Sequence, residues 1–333
     1  MHIVIPNDWN DAFATSPNIE PLRRRATVVI CKLPGVEQDK ALRDADIVVG
    51  IRERTRFDAA LLSRMPKLKL VAQVGGMENP HIDLAAATAK GTLVCHTSAN
   101  RSQPSNAPGG MVELTIGMII AALRQFPQQD RTIHAGGWPD PAGRVLDGKT
   151  LGIIGLGRIG LGVARAGQFF GMKAMAAGRT LTPERAASAG VEYTELETLF
   201  ATSDVVSVHL KLNDATRGMI TRGLLARMKP DAIFVNTSRG PIVDEVALAD
   251  ALEAGRIGGA ALDVYDEEPL PADHRLRHCE RALLLGHCGW ATPEAYEHIV
   301  PSIIAVINAF LDGAPMNVVN PKALPMTSVT PTP

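Results

Sequence analysis

The sequence lacks the features that direct a protein to a polyanion or into a membrane. Its formal net charge is −1, so no excess of one sign would attract nucleic acid or an anionic lipid surface. Its longest apolar run, 116–123, is far shorter than the roughly 20 residues that cross a bilayer. The N-terminal residues MHIVIPNDW contain no basic segment followed by an apolar one. We therefore expect a cytoplasmic protein with no nucleic-acid partner and no membrane partner.

Cysteine is scarce, and its spacing excludes two kinds of protein. Cys31, Cys95, Cys279 and Cys288 are scattered, and no two of them form a C-x-x-C pair. This pattern is typical of reduced thiols in the cytosol and not of a small protein held together by disulfides. The spacing of metal ligands is absent as well, so we expect no metal site.

The length of 333 residues predicts two domains of roughly 100 to 200 residues each. Short runs rich in Val and Ile alternate with helical stretches, which is typical of parallel sheets covered on both faces. Two series of strands are predicted. The first comprises 2–5, 27–30, 46–50, 68–72 and 92–95, and the second comprises 151–154, 172–176, 205–210, 232–236, 260–264 and 282–285.

Three further segments indicate how the two series are connected. Asn, Ser, Pro and Gly cluster at 98–110 and mark a crossing from the first series to the second. The apolar helix predicted at 111–125 is either buried between domains or subunits, or is an ordinary core helix. No further strand follows the last predicted helix, 293–311. We therefore expect this helix to pack on the first domain, which would then be discontinuous in sequence.

A glycine-rich turn follows the first strand of the second series. Gly155, Gly157 and Gly160 form the pattern G-x-G-x-x-G between the strand 151–154 and an amphipathic helix. In that context the first glycine permits a tight turn, the second lets the backbone approach a pyrophosphate, and the third lets helix and strand pack closely. The start of the helix supplies amide donors for the phosphates. The turn therefore predicts that the chain binds a dinucleotide.

The end of the next strand bears on which dinucleotide binds. A carboxylate there would accept hydrogen bonds from a bare ribose and repel a 2′-phosphate. The position 18 residues beyond Gly160 holds Gly178, and Arg179 and Thr180 follow it. A guanidinium and a hydroxyl favour NADP. The alternative is that Arg179 is a solvated surface cation and that NAD binds without a carboxylate partner.

Three polar residues lie just beyond strands of the second series, where open α/β sheets bind their ligands. These residues are Arg239, Glu268 and His287. Arg239 can hold a substrate carboxylate and polarise a carbonyl group with its forked donors. His287 can donate a proton to the substrate oxygen, and Glu268 beside it would orient the imidazole and favour its charged form. Each residue alone would be unremarkable, but together they predict the reduction of a 2-oxo acid.

These residues carry a resemblance to the D-isomer-specific 2-hydroxyacid dehydrogenase family. It is dense from 148 to 292, in the segments LGIIGLGRIG, HLKLNDATRGMIT, MKPDAIFVNTSRGPIVDE, GGAALDVYDEEPLP and GHCGWATPE. The resemblance implies an α/β protein in which a Rossmann-type NAD(P)-binding domain, 101–290, is inserted into a flavodoxin-like substrate domain. The latter would comprise 1–100 and 291–333, with the active site in the cleft.

The resemblance also implies roles for single residues. Arg239, Glu268 and His287 would be catalytic, and Gly76, Met77 and Arg54 would bind substrate, the first two through backbone amides. The alternative for Arg54, which its sequence context favours slightly, is a surface salt-bridge partner. The cofactor-binding residues would be Gly155, Gly157, Arg158, Ile159, Gly160, Arg179, Thr180, Leu210, Thr216, Thr237, Ser238 and Asp263, with Arg158 and Ile159 at the pyrophosphate and Asp263 near the nicotinamide amide. Three residues differ from those usual in the family, namely Glu78, Lys211 and Gly286. Because of these differences, the resemblance does not identify the substrate.

We therefore expect an NAD(P)-dependent oxidoreductase that acts on the CH–OH group of a small 2-hydroxy acid, or reduces the 2-oxo acid. One alternative is a dinucleotide-sensing binding protein, like the corepressors that share this fold. Another is a dehydrogenase of a different small anion, such as formate or phosphite. The resemblance and the apolar segment 111–123 together suggest a homodimer.

Overall fold

The computed structural model describes residues 1–76, 81–97, 110–139 and 142–324. The predicted substrate-binding residue Met77, the departure at Glu78 and most of the predicted crossing segment lie outside these residues. The chain divides into two compact units, one of Met1–Pro104 with Ala291–Pro333 and the other of Ser105–Trp290. None of the helices among the described residues is long and apolar enough to span a membrane.

The first unit contains a five-stranded parallel sheet in the order β2-β1-β3-β4-β5. Its strands are β1 His2–Ile5, β2 Thr27–Ile30, β3 Ile47–Gly50, β4 Leu70–Gln73 and β5 Leu93–His96. Its helices are α1 Ile19–Arg23, α2 Val36–Asp44, α3 Ala59–Ser63, α4 Leu84–Ala89 and, from the end of the chain, α12 Pro293–Leu311. α12 packs against α1, β4 and β5, so the C-terminal part of the chain belongs to the core of this unit.

The second unit contains a seven-stranded parallel sheet in the order β12-β11-β10-β9-β6-β7-β8. Its strands are β6 Thr150–Ile154, β7 Lys173–Ala177, β8 Glu192–Tyr193, β9 Val205–Val208, β10 Ile233–Asn236, β11 Gly259–Leu262 and β12 Ala282–Leu284. Its helices are α5 Gly110–Arg124, α6 Phe126–His134, α7 Arg158–Phe169, α8 Pro183–Ser188, α9 Leu196–Thr202, α10 Arg222–Leu225 and α11 Glu245–Glu253.

Both strand orders are doubly wound, and they confirm the predicted fold class. The second unit has the Rossmann-type order, with the order reversing between β6 and β9, and the first has the flavodoxin-like order 2-1-3-4-5. The strands at the centre of each sheet consist mostly of buried apolar residues, because helices cover both faces. The carboxyl ends of all strands of one sheet lie on one edge, which is where ligand-binding residues meet.

The structure resolves the alternatives for the apolar helix and adds two elements. α5 packs against α7 and against β10, β11 and β12, and Ile116 and Ile119 belong to the core of its own unit. It is therefore a core helix. α6 was not predicted; it begins because Gln125 adopts a left-handed conformation, φ 56°, which ends α5 and lets the chain restart with proline in its first turn. The two-residue strand β8 was also missed.

Candidate active site

The glycine-rich turn lies between β6 and α7, where the backbone itself requires glycine. Gly155 has φ +96°, and a Cβ atom there would lie 2.6 Å from the carbonyl oxygen of His209. A Cβ atom at Gly160 would lie 2.2 Å from the carbonyl oxygen of Gly155. Gly155 therefore lets the loop after β9 approach the turn, and Gly160 lets α7 pack closely on the turn. These contacts are the close approaches that the sequence pattern predicts.

The second glycine of the turn, Gly157, faces open space and not a close backbone contact. It is exposed, and a Cβ atom there would meet nothing within 4 Å. Gly157 is also the N-cap of α7 and offers no side-chain acceptor to the first turn of the helix, which begins with Arg158 and Ile159. The open space and these amide donors fit the pyrophosphate of a dinucleotide. The second unit can therefore hold the cofactor that the turn predicts.

Several predicted cofactor residues surround this turn. Ser238 donates its hydroxyl hydrogen to the carbonyl oxygen of Leu210, and the Leu210 side chain lies 2.8 Å from the position of a Cβ atom on Gly155. Thr237 is buried, with its hydroxyl 3.0 Å from that of Thr115 on α5. Thr216 donates to the carbonyl oxygen of Lys211 at 2.7 Å. The loops after β9 and β10 are thus fastened to each other and to the glycine-rich turn.

The segment after β7 is also fastened to this turn. Arg185 on α8 donates to the carbonyl oxygens of Thr180 at 3.2 Å and Leu156 at 3.3 Å. Arg179 and Thr180 are both exposed, and Gly178 provides no side chain. The end of β7 therefore presents a guanidinium and a hydroxyl, and no carboxylate occupies positions 178–180.

The structure brings Glu268 and His287 into direct contact. The Nδ1 atom of His287 lies 2.6 Å from Oε2 of Glu268, and both side chains are largely buried. Because a carboxylate only accepts, Nδ1 is the donor, and Nε2 is the ring atom that can exchange a proton with a substrate. The second carboxylate oxygen accepts from the backbone amide of Tyr265 at 2.9 Å. His287 itself has φ +53°, a left-handed conformation that is rare outside glycine.

Arg239 lies beyond β10, next to the loop that carries Glu268. Its Nη1 donates to the carbonyl oxygen of Ser238 at 2.7 Å, and Asn236 donates to the carbonyl oxygen of Arg239 at 3.0 Å. The next residue, Gly240, packs so closely on Tyr265 that a Cβ atom there would lie 1.9 Å from the Tyr265 carbonyl carbon. The Arg239 turn and the Glu268 loop are therefore in direct backbone contact.

Asp263 is buried directly after β11 and binds backbone. Its two carboxylate oxygens accept from the amides of Cys288 at 2.8 Å and Gly289 at 3.1 Å. Burial raises the pKa of Asp263, while these two amides act in the opposite direction. The carboxylate therefore holds the turn that follows His287. Its predicted place near the nicotinamide amide stays a prediction.

Two predicted substrate-binding residues lie in the first unit, after β3 and β4. The loop at Gly76 is fastened because Gly75 donates to the Thr97 hydroxyl at 3.0 Å and Gln73 donates to the Gly76 carbonyl oxygen. Gly76 itself is exposed. Arg54 donates to the carbonyl oxygen of Asn7 at 2.9 Å and to the Tyr296 hydroxyl at 3.0 Å.

The guanidinium of Arg54 also stacks 4.6 Å from the ring centre of Trp9. With the two hydrogen bonds, this contact places Arg54 in a cluster of polar and aromatic groups at the carboxyl edge of the first sheet. The predicted role of Arg54 in substrate binding and its alternative as a surface salt-bridge partner both stay predictions.

Three residues that support the site were missed. Tyr265 is buried beside Glu268, Thr115 is bonded to Thr237, and His209 lies against Gly155 with its Nε2 2.9 Å from the Ser207 hydroxyl. Burial lowers the pKa of His209 to about 4, so its imidazole is neutral near pH 7. Each of these residues is polar and lies in an apolar helix or near the end of a strand, which could have marked it as a candidate. The sequence does not show which group each one bonds to.

The two doubly wound sheets and the glycine-rich turn define a nicotinamide-dinucleotide-binding α/β protein. Residues 116–289 match the family model described as the NAD binding domain of D-isomer specific 2-hydroxyacid dehydrogenases. Glyoxylate reductase of Thermococcus litoralis is 37% identical over 85% of this chain and 86% of its own length. The chain belongs to the D-isomer specific 2-hydroxyacid dehydrogenase family.

Other relatives agree with this assignment. The structure of phosphoglycerate oxidoreductase from Vibrio cholerae O395 is 33% identical, with a TM-score of 0.85 over 94% of this chain and all of that one. D-3-phosphoglycerate dehydrogenase of Archaeoglobus fulgidus is 35% identical over 91% of this chain. This chain spans 57% of the length of that relative and 52% of the Mycobacterium bovis enzyme of the same name.

The glycine-rich turn leads to a first prediction, in which two substitutions to alanine have different effects. Gly157→Ala should weaken binding of NADPH and NADH at least about tenfold without lowering the thermal midpoint, because its Cβ atom enters the ligand's space only. Gly155→Ala should lower both affinity and thermal midpoint, because its Cβ atom meets the His209 carbonyl oxygen. Fluorescence titration and thermal unfolding measure the two effects. Undiminished affinity in Gly157→Ala would remove the turn from the cofactor site.

Proposed function

We propose that this protein is an NAD(P)-dependent D-2-hydroxyacid dehydrogenase that reduces a small 2-oxo acid or oxidises the corresponding 2-hydroxy acid. The observation that carries the proposal is the bond between His287 Nδ1 and Glu268 Oε2, 2.6 Å long, at the carboxyl edge of the sheet that bears the glycine-rich turn. Reduction of a 2-oxo acid requires a proton donor of this kind, whereas binding of a dinucleotide alone does not. Family membership supports the same reaction.

The roles of the site residues follow from their chemistry. The bound nicotinamide supplies or accepts the hydride. His287 holds a proton at Nε2 for the substrate oxygen, because its Nδ1 is committed to Glu268. The Glu268 carboxylate stabilises the charged imidazole and sets its orientation. Arg239 has the planar, forked donors that bind a carboxylate in two places and polarise the neighbouring carbonyl group.

The two units divide these tasks in the proposal. The second unit, predicted as 101–290, binds the cofactor and carries out proton transfer. The first unit, predicted as 1–100 and 291–333, provides Gly76 and Met77 for the substrate carboxylate and Arg54 for a further substrate contact. The relatives named glyoxylate reductase and D-3-phosphoglycerate dehydrogenase indicate which acids to examine first. Glyoxylate, hydroxypyruvate, pyruvate and bulkier 2-oxo acids cover this range.

A spectrophotometric screen of these acids with NADPH and NADH tests the reaction, and substitutions test the residues. His287→Ala should lower kcat about 10²- to 10⁴-fold, because the proton donor is lost, while the cofactor still binds. Arg239→Lys should lower kcat/KM strongly, because lysine cannot bind a carboxylate in two places. His278→Ala and Arg227→Lys, exposed positions of the same unit, are the matched controls.

The outcomes separate the proposed reaction from its alternatives. If His287→Ala and Arg239→Lys both keep full activity, the assignment of the catalytic residues is wrong. Tight cofactor binding without reduction of any 2-oxo acid would favour the dinucleotide-sensing protein. Formate and phosphite belong in the screen, since turnover of either one in place of a 2-hydroxy acid would identify a dehydrogenase of a different anion.

We propose NADP as the preferred cofactor, because the exposed Arg179 and Thr180 follow β7 where a carboxylate would favour NAD. Arg179→Ala should raise the Kd for NADPH about tenfold and leave that for NADH nearly unchanged, since only NADPH carries the 2′-phosphate. Fluorescence titration with both cofactors measures the change, and Arg165→Ala on the exposed side of α7 is the control. An equal effect on both cofactors, or a wild-type preference for NADH, contradicts the assignment.

We also propose that the protein is a homodimer through its second unit. The support is a short segment with four exposed apolar side chains, namely Phe126, Ile133, Trp138 and Val145, of which Trp138 is 89% exposed. Light scattering at micromolar concentration should give the mass of two chains, and Ile133→Asp should shift it towards one. Phe169→Asp, at an exposed phenylalanine outside this segment, should not. A wild-type mass of one chain contradicts the dimer.

A further inference from the structure

His287 lies on a weakly supported part of the sheet. The strand before it, β12, has only three residues and is the edge strand, so it pairs with β11 alone. His287 follows two residues after Leu285, beyond the last ladder bond, which runs from the Leu285 amide to the Leu262 carbonyl oxygen at 2.8 Å. Its left-handed backbone, φ +53°, is unfavourable for a residue with a side chain. Other contacts must therefore hold the imidazole in place.

Two buried side chains from the residues after β11 provide these contacts. Asp263 accepts from the amides of Cys288 and Gly289, on the C-terminal side of His287. Tyr265 lies on the other side, with its hydroxyl oxygen 2.6 Å from the Leu285 carbonyl oxygen and 3.3 Å from that of Leu262. The single hydroxyl hydrogen goes to the nearer oxygen, that of Leu285, because a bond of 2.6 Å is much the stronger of the two. The segment that carries His287 is thus fastened at both ends.

Tyr265 also contacts the supports of the other two site residues. Its backbone amide donates to Oε1 of Glu268 at 2.9 Å, while Oε2 of the same carboxylate binds His287. Its carbonyl group packs on Gly240, the residue after Arg239. Tyr265 is 5% exposed, so these contacts are shielded from water. Tyr265 therefore contacts both the segment that carries the imidazole and the carboxylate that binds it.

The electrostatic surroundings keep the Tyr265 hydroxyl a donor. Burial raises its pKa, and the negative charges of Asp263, Glu268 and Glu245 raise it further, whereas Arg277 acts weakly in the opposite direction. The phenol therefore stays protonated over the range in which the enzyme would work. Among the charged groups around this cluster, Glu268 binds His287 directly and Asp263 lies near enough for its own pKa to respond to the His287 charge.

We propose that Tyr265 is a positioning residue for the reaction, holding His287 against Glu268 through the bond from its hydroxyl to the Leu285 carbonyl oxygen. This inference rests on the proposed function, in which His287 donates the proton. Tyr265 itself would touch neither substrate nor cofactor. Its hydroxyl would instead reduce the freedom of a histidine that a three-residue edge strand cannot hold alone.

Tyr265→Phe tests this role, because it removes the hydroxyl and keeps the ring. We expect kcat for 2-oxo acid reduction to fall about tenfold, with little change in KM or in the Kd for NADPH, since substrate and cofactor contacts remain. The loss of rate at high pH, where the imidazolium disappears, should move to lower pH because the Glu268 contact is loosened. Tyr193→Phe is the matched control: the Tyr193 hydroxyl donates to Glu195 at 2.8 Å, away from these loops.

A second measurement separates positioning from general stability. In a Glu268→Gln background, Tyr265→Phe should lower kcat much less than tenfold, because the contact that Tyr265 supports is already weakened. An equal loss in both backgrounds, with an unshifted pH profile, overturns the proposal and leaves a purely structural tyrosine. If His287→Ala retains activity, the proposed function fails first, so the two failures are distinguishable. Thermal unfolding and NADPH titration verify that each variant is folded.

Discussion

The hydrogen bond between His287 and Glu268 depends on the parallel order of β11 and β12. These neighbouring strands run in the same direction, so both chains leave the sheet at the same edge and the two loops can meet. The loop after β12 is held by Tyr265 and Asp263 of the loop after β11, which bind the backbone on either side of His287. The imidazole therefore owes its position to contacts from one adjacent loop.

The glycine-rich turn also lies at the carboxyl edge of this sheet, after β6, on the other side of the point where the strand order reverses. Gly155 allows the loop after β9 to approach β6, and Gly160 allows α7 to close on the turn. Gly157 leaves open space at the start of α7, where amide donors need partners. In the proposed function, cofactor binding and proton transfer thus use different strand ends of one sheet. Because both lie on the same rigid sheet, the glycine-rich turn and the imidazole keep a constant distance from each other.

Much of this arrangement was predictable because it is local. Apolar runs with intervening helical segments predict the strands, and all of those predicted are present with ends shifted by at most two residues. The shifts arise because side-chain pattern does not reveal where the ladder bonds stop. α6 was missed, since only the left-handed Gln125 separates it from α5. β8 has two residues, too few to show a period.

The sequence by itself determined the fold class, the family, the glycine-rich turn and the residue types that suit acid reduction, because each depends on short patterns. Only the tertiary structure showed that Asp263 holds the turn after His287 and that Tyr265 joins the ends of two strands. These contacts join groups 20 to 26 residues apart in the chain, in loops that meet only when β11 and β12 pair. No local sequence pattern predicts these contacts. A buried side chain bonds to backbone groups that lack a partner in the sheet, and the sequence does not show which groups those are.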